Sequence, residues 1–321
     1  MSALIGTKTV LPTVSVVIAA HTMKRWAYLK AAVASVQAQT VPAAETVVAV
    51  DHNPQLCERA LQEFAGITVV PNIGQPGASA TRNTGVRASH GEVVAFLDDD
   101  AIASPAWLET LLMHFSRPEV VGVGGGLVAR WETRRPRWFP PEFDWVVGAS
   151  YRGMAENAEP TRNVWSNNMA IRRRTHDDIG GFREDFGKIA DRSHSEDTDL
   201  CLRAAAHDGG IWIYEPLGLA AHHVPAKRAT LRFFLKRCFS EGQGKAALAA
   251  FYGLHQSTST ERGYIARVLS PGIARSMRDA LHGDASGAFR GLAMAAGLVM
   301  TAAGFLAGRS PQPSRLRKRL R

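Results

Sequence analysis

Residues 80–100, ATRNTGVRASHGEVVAFLDDD, run from a helical pattern through an apolar, β-branched strand into three consecutive carboxylates. Like charges so close repel one another and are costly to desolvate, so Asp98, Asp99 and Asp100 at the end of a buried strand call for water, cations or a metal ion. Upstream of this stretch the same alternation repeats. TVSVVIAA (13–20), MKRWAYLKAAVASVQAQ (23–39), ETVVAVDHN (45–53), PQLCERALQEFA (54–65) and ITVVPN (67–72) read as strand, helix, strand, helix, strand. That order predicts an α/β fold with a mostly parallel sheet flanked by helices. Ligands of such sheets bind beyond the carboxyl ends of the strands. The residues to read are therefore Ala20 and His21, Asp51 to Asn53, Asn72, and the aspartate trio.

Downstream, a helix is expected from Pro105 through Phe115, then a glycine-rich strand VVGVGGGLVARW (120–131). ETRRPRWFPPEFDWVVG (132–148) mixes prolines, arginines and aromatics and reads as a long loop over a site. A strand around RNVWSNNMAIRR (162–173), a helix SEDTDLCLRAAAHDG (195–209) and a strand IWIYEPLGLAAHHVP (211–225) follow. The glycines of GVGGGLV are no dinucleotide fingerprint, because Leu127 stands where the third glycine belongs.

The 321 residues suffice for a sizeable core. Three widely separated cysteines, Cys57, Cys201 and Cys238, form neither a zinc spacing nor a disulfide framework and suit a reducing cytosol. The apolar run at residues 10–20 contains Pro12 and β-branched residues, which favour a first strand over a signal peptide. The net charge of +9 is unevenly spread: residues 1–226 carry −4 and residues 227–321 carry +13. A slightly acidic body with a basic final third implies two physical roles, the second facing an anionic surface.

Taken together, SVVIAAHTMKR (15–25), VVAVDHN (47–53), GASATRNTGVRASHGEVVAFLDDD (77–100), SNNMAIRR (166–173) and SEDTDLCLR (195–203) make the chain resemble the family 2 glycosyltransferases of the GT-A fold, from about residue 14 to about residue 225. The resemblance implies an inverting, metal-dependent enzyme. It would move a sugar from a nucleoside diphosphate donor, with UDP among the candidate nucleotides, to a hydroxyl of a glycan or lipid-linked acceptor in cell-surface polysaccharide or glycoconjugate synthesis. Ala20, His21, Asp51, Arg82 and Asp98 would contact the donor, Asp51 through the base. Asp98 and Asp100 would place Mg²⁺ or Mn²⁺ on the diphosphate, with His222 or His223 completing the metal shell. Asp197 would be the general base and Glu196 would orient the acceptor or Asp197. AAHT and DHNP depart from the family's usual wording at the nucleotide pocket, which leaves the donor undetermined.

Each feature alone also has a structural explanation: a solvated helix cap for the trio, a surface arginine for Arg82, first-turn acids for Glu196 and Asp197. Their joint occurrence in this order is what carries the reading. A sugar-nucleotidyltransferase would need a glycine-rich loop after the first strand, where AAHTMKRW has none. The acidic body and the lack of a recognition motif argue against a nucleic-acid-binding protein. A catalytically dead sugar-binding relative would not need the carboxylates.

The expected organisation is a GT-A domain over residues 1–226, with a nucleotide-binding half at about 10–104 and an acceptor half at about 105–226, followed by a basic helical extension at 227–321. KRATLRFFLKRCFSEGQGKAALAAFYG (227–253) has the mixed cationic and apolar make-up of an interfacial segment, with Phe233, Phe234, Lys236 and Arg237 as its core. GLAMAAGLVMTAAGFLAG (291–308) is uncharged but only barely of spanning length, so spanning, lying on and avoiding a membrane all stay open. RLRKRLR (315–321) suits anionic headgroups. The resulting expectation is a cytoplasmic enzyme held peripherally on the inner face of the cell membrane.

Overall fold

The computed structural model describes residues 11–185, 188–189, 192–193 and 195–309, so the RLRKRLR segment lies outside the described residues. The first half follows the expected alternation: β1 (Val14–Ala20), α1 (Trp26–Gln37), β2 (Glu45–Asp51), α2 (Pro54–Glu63), β3 (Thr68–Asn72), α3 (Ala78–Arg87) and β4 (Val93–Asp98). β1 pairs in parallel with β2 and β4, and β2 with β3. Ser15, Val17 and Ala19 of β1 thus lie beside Val94, Phe96 and Asp98 of β4, and the strand ends line up on one edge.

Then come β5 (Ala101–Ala103), α4 (Trp107–Leu112), β6 (Val120–Trp131), β7 (Glu159–Thr161), β8 (Asn168–Arg172), α5 (Arg173–Asp178), β9 (Lys188–Ile189), β10 (Arg192–Ser193), α6 (Glu196–Asp208) and β11 (Ile211–Val224). Among the described residues the main sheet has the order β3-β2-β1-β4-β8-β6-β11-β5, with β7 also against β11. β8 runs antiparallel to both β4 and β6, which makes the sheet mixed. β9 and β10 form a separate ribbon. The long β11 serves two neighbours because Pro216 to Leu219 bulge out between its halves; Trp212–Tyr214 pair with β7 and Ala220–His222 with β5.

Alternate residues of the central strands feed two cores, as the period-2 geometry of strands requires. Val16 and Ile18 of β1 pack with Leu29 and Val33 of α1, Leu56 of α2 and Trp107 of α4. On the other face Val17, Val94 and Phe96 pack with Val86 of α3 and with Leu200 and Ala204 of α6.

The final third is α7 (Leu231–Tyr264), a π turn at Ile265–Leu269, α8 (Ser270–Leu281) and α9 (Ala285–Gly308). α7 is broken at Gly253, whose φ of 80° lies in the left-handed region. These helices share a third core with the segment expected to be an open loop: Phe139, Phe143, Val146 and Val147 pack with Phe234, Cys238, Leu269 and Met294. Residues 141–147 form a 3₁₀ helix, because the aromatics of PPEFDWVV bury themselves under α7 and α9 rather than meeting solvent. The expected interfacial segment is corrected by the same contacts. Phe234 is fully buried and Phe233 packs against this core, so these two aromatics point into the protein, while Phe251 further along the segment stays exposed.

Candidate active site

The loop after β1 turns through a 3₁₀ helix at Met23–Arg25, capped by Thr22 accepting from the Lys24 amide at 3.3 Å. This turn delivers Arg25, which pairs with Asp99 at 2.6 Å and Asp100 at 3.1 Å. Arg82, buried on α3, donates to Asp98 at 3.0 Å. Two arginines therefore offset part of the charge of the aspartate trio, so side-chain cations share the task with any bound metal. Arg25 was not singled out from sequence. Its signal was the lone KR step in the first strand-end loop.

The three aspartates have different tasks. Burial pushes the Asp99 carboxyl up to about 7 against the pull of Arg25, with Asp100 and Asp98 adding repulsion. Burial also acts to raise Asp100, but His222, Arg25 and Arg228 outweigh it and hold the carboxyl below its ordinary value. Asp98, Asp100 and His222 each present a ligand atom within 4.8 Å of the others. Among the described residues Asp100 Oδ1 and His222 Nδ1 are buried without a hydrogen-bond partner, and His222 Nε2 stands 3.3 Å from Asp100 Oδ1. Two carboxylates and an imidazole with unmet polar atoms fit a divalent cation. Room for the His222 ring is made by Gly148 (φ 81°), whose missing Cβ would lie 3.1 Å from the imidazole.

His223 lies elsewhere. Successive side chains of β11 alternate faces, and its ring stacks on Tyr28 at 4.2 Å between centroids. Of the two histidines, only His222 is brought to the carboxylates.

At the strand end expected to meet the donor, Asp51 ends β2 and accepts from Asn72 Nδ2 and the Gly77 amide, both at 2.9 Å, and meets His52 Nδ1 at 2.9 Å. Burial opposes ionisation there, but these three contacts keep the carboxyl below its ordinary value. His52 takes φ 45°, a turn conformation that histidine tolerates better than most residues. Ala20 is buried at the end of β1, and the His21 carbonyl accepts from Asn53 at 3.1 Å. The strand-end residues of β1, β2 and β4 thus share one edge of the sheet.

The acidic pair enters from α6. Arg82 reaches Glu196 at 3.5 Å with its other guanidinium nitrogen, so one buried side chain links Asp98 to the acidic helix. Asp197 accepts from the Thr198 amide at 2.7 Å. Its carboxyl is pushed up to about 7, first by burial and then by the Glu196 charge, with Glu241 of α7 adding to the effect. Asp199 is structural: fully buried, it pairs with Arg203 at 2.8 Å and accepts from Tyr252 of α7 at 2.6 Å. Asp197 and Glu196 open into a cavity of about 370 Å³. Its walls include Trp145, Tyr151 and Trp165, and, from α7, Arg237, Glu241 and Lys245. Glu241 is held between Arg237 at 3.1 Å and Lys245 at 3.4 Å. None of these wall residues was legible from local pattern.

The family model for Glycosyl transferase family 2 matches residues 15–180. A glucosyl-dolichyl phosphate glucuronosyltransferase of Haloferax volcanii is 32% identical over 257 residues, which cover 78% of this chain and 82% of the relative. The chain belongs to glycosyl transferase family 2. A pre-mycofactocin glycosyltransferase of Mycobacterium tuberculosis is 32% identical over 214 residues, 63% of this chain and 42% of that protein. A mannosyltransferase from Pyrobaculum calidifontis, solved with GDP-Man and Mn2+, superposes with a TM-score of 0.61 at 19% identity over 93% of this chain and 88% of that one. GalNAc-T7, solved with UDP, GalNAc and Mn2+, gives 0.53 at 16% identity over 80% of this chain and 54% of that one. These neighbours show the GT-A fold for this family 2 glycosyltransferase, with the helical region following it.

Proposed function

We propose that this glycosyltransferase moves a sugar from a nucleoside diphosphate donor to a hydroxyl of a lipid-linked glycan, with inversion at the anomeric carbon. One observation carries the reading. The buried Arg82 links Asp98 of the cation-capable group to Glu196 of the acidic pair, so both kinds of machinery border one cleft, and Asp197 faces a cavity large enough for a sugar. The acceptor oxygen attacks the anomeric carbon as the bond to the diphosphate breaks, and Asp197 takes the hydroxyl proton. A carboxyl with its proton affinity raised to about 7 is well matched to that transfer near neutrality. Glu196 holds the acceptor or Asp197 in place, and Asp51 accepts from the nucleotide base. Asp98, Asp100 and His222 would hold Mn²⁺ or Mg²⁺, which when bound supplies positive charge against the developing charge of the leaving diphosphate.

The aromatic side chains Trp145, Tyr151 and Trp165 around the cavity suit the apolar faces of a sugar ring, and Arg162, Arg237 and Lys245 suit a phosphate beyond it. The naming of the Haloferax relative as acting on glucosyl-dolichyl phosphate supports an acceptor carried on a lipid phosphate. The reading places the enzyme on the cytoplasmic face of the membrane, where soluble nucleotide sugars are made. The test is thermal stabilisation by a panel of nucleotide sugars with Mg²⁺ or Mn²⁺, followed by product anomer assignment by NMR with a polyprenyl-phosphate sugar as acceptor. Stabilisation by no nucleotide with either ion, or a retained anomer, would refute it.

A further inference from the structure

α9 packs along its whole length on the body of the protein through a face of small residues. Gly287 lies against Ser276 of α8, Gly297 against Phe143, Gly304 against the Phe239 backbone of α7, and Gly308 against Ala246. Among the described residues the opposite face has no such cover. Phe289, Leu292, Ala295, Val299, Ala302 and Leu306 recur at three- and four-residue steps, which places them on one stripe about 25 Å long. All six are exposed, and Leu292, Val299 and Leu306 are 66%, 65% and 67% accessible. On α8 the neighbouring Met277 and Leu281 are exposed as well.

At the N-terminal end of this stripe is a second feature of different chemistry. A concavity there is lined by Arg134, Arg135, Arg137, Arg152, Arg275 and Arg290, against the carboxylates Glu142 and Asp279. Arg290 sits on α9 itself, next to Phe289, and is tied to Asp279 and Asp284 at 2.9 Å. Arg135 is held by Asp144 and Arg275 by Glu142. Among the described residues Arg134 and Arg137 are exposed and have no acidic partner.

We infer that this joint surface docks on an anionic bilayer, with α9 lying in the interfacial plane and the arginine concavity holding phospholipid phosphate headgroups. A helix with an apolar stripe of this size beside a cationic site has the two attractions that interfacial binding combines: buried apolar area and attraction to anionic lipid. Charge complementarity selects the bilayer over a second apolar protein surface, because the arginines would be left without counter-charge in such a contact. The packing of α9 selects lying over crossing. A spanning helix must shed its polar neighbours, whereas the α9 glycine face is in contact with α7 and α8 from Gly287 to Gly308. The inference goes beyond the proposed reaction, since it depends on neither the sugar nor the acceptor.

The experiment is co-sedimentation of the full chain with phosphatidylcholine vesicles, with and without phosphatidylglycerol, at low and high salt. The wild-type chain binds the anionic vesicles, and high salt or alkaline carbonate releases it. Arg134→Ala and Arg137→Ala each weaken that binding by about five-fold, the scale of one basic residue near an anionic surface, and leave the basic C-terminal cluster untouched. Leu292→Asp and Val299→Asp, at exposed positions where folding is checked by circular dichroism, each weaken it by more than about ten-fold. Sugar transfer to a water-soluble acceptor stays unchanged in all four variants, which separates failure of the docking surface from failure of the proposed reaction. Vesicle binding unaffected by the α9 variants overturns the assignment, and carbonate-resistant binding overturns the in-plane placement. If inorganic phosphate at millimolar concentration displaces the protein fully from vesicles, the concavity is a free-anion site and the lipid source is wrong.

Discussion

The proposed donor side and the proposed acceptor side of this enzyme are built by different rules. Ala20, Asp51 and Asp98 sit at the ends of adjacent parallel strands, so their meeting follows from the sheet alone. The cavity beside Asp197, proposed to take the acceptor, instead has walls from α6, the 141–147 helix, α7, the π turn and α9, elements up to about half the chain apart in sequence. One side is fixed by topology, the other by the packing of a third core.

The largest expected effects separate the two sides. Asp197→Asn keeps the shape of the side chain but cannot take the acceptor proton. Turnover should fall by about 10²–10⁴-fold, while metal-dependent donor binding, read by thermal shift, stays close to wild type. Asp100→Ala should do the reverse and abolish metal-dependent donor binding, since it removes one of the three groups around the candidate cation position. If Asp197→Asn retains normal turnover with its natural acceptor, the division between the sides is misplaced.

A smaller effect tests whether Asp197 is held at a cost. Its folded-state carboxyl titrates near 7, above the ordinary value of 3.8. The folded state therefore holds the proton more tightly than the unfolded chain. Stability from that preference is complete below about pH 4 and is lost as pH rises through about 7. Asp197→Asn, which has nothing to ionise, should be more stable than wild type at pH 8, by on the order of 1–2 kcal/mol after allowance for solvent screening. The gap should shrink on going down to pH 5. A melting-temperature series at the two pH values, without metal, reads it directly; equal gaps at both would show that burial does not strain this carboxyl.

The contrast between the two sides also explains what could be read from the chain. Alternating β-branched runs and helical patterns carry the β1 to β4 half almost unaided, because each element is decided by local periodicity and the strand ends follow. The glycine-rich run at 120–131 is β6 with the expected bounds. The pairing of Arg25 with Asp99 and Asp100 needs the three-dimensional turn after β1, and a single arginine has no period to reveal it. The segment at 132–148 misled because prolines and arginines mark loops by composition, while Phe139, Phe143 and Val147 share a buried core with helices that come about ninety residues or more later. Phe234 was assigned to an interface for the same reason: an apolar residue between cations looks identical whether it faces lipid or core.

A finer test concerns how firmly α7 is tied to the acidic helix. Tyr252 donates to the buried Asp199 at 2.6 Å, just before the break at Gly253. Tyr252→Phe removes that donor while Arg203 and Arg183 still compensate the carboxylate. The expected loss is about 1–2 kcal/mol in denaturant unfolding, with KM for the acceptor rising more than KM for the donor. An equal rise in both would mean that α7 supports the whole cleft and that the two sides are less separate than their construction suggests.

The smallest effect expected, and the most specific to the acceptor wall, comes from Glu241. This carboxylate is on α7, yet its charge helps to raise the proton affinity of Asp197 on α6. Arg237 and Lys245 flank it on the same helix face and keep it ionised, burial notwithstanding. Glu241→Gln leaves the shape nearly unchanged and removes one negative charge, so the two cations are no longer neutralised beside the cavity. Both changes favour the ionised form of Asp197, and its titration should move down by a few tenths of a unit to about one unit. The acid limb of kcat against pH should shift by the same amount, with little change in the plateau. That readout distinguishes an electrostatic wall from a merely steric one. A fall in plateau kcat with an unmoved limb would mean that Glu241 touches the acceptor instead of acting through Asp197, and a limb moved upward would reverse the sign of the coupling argued here.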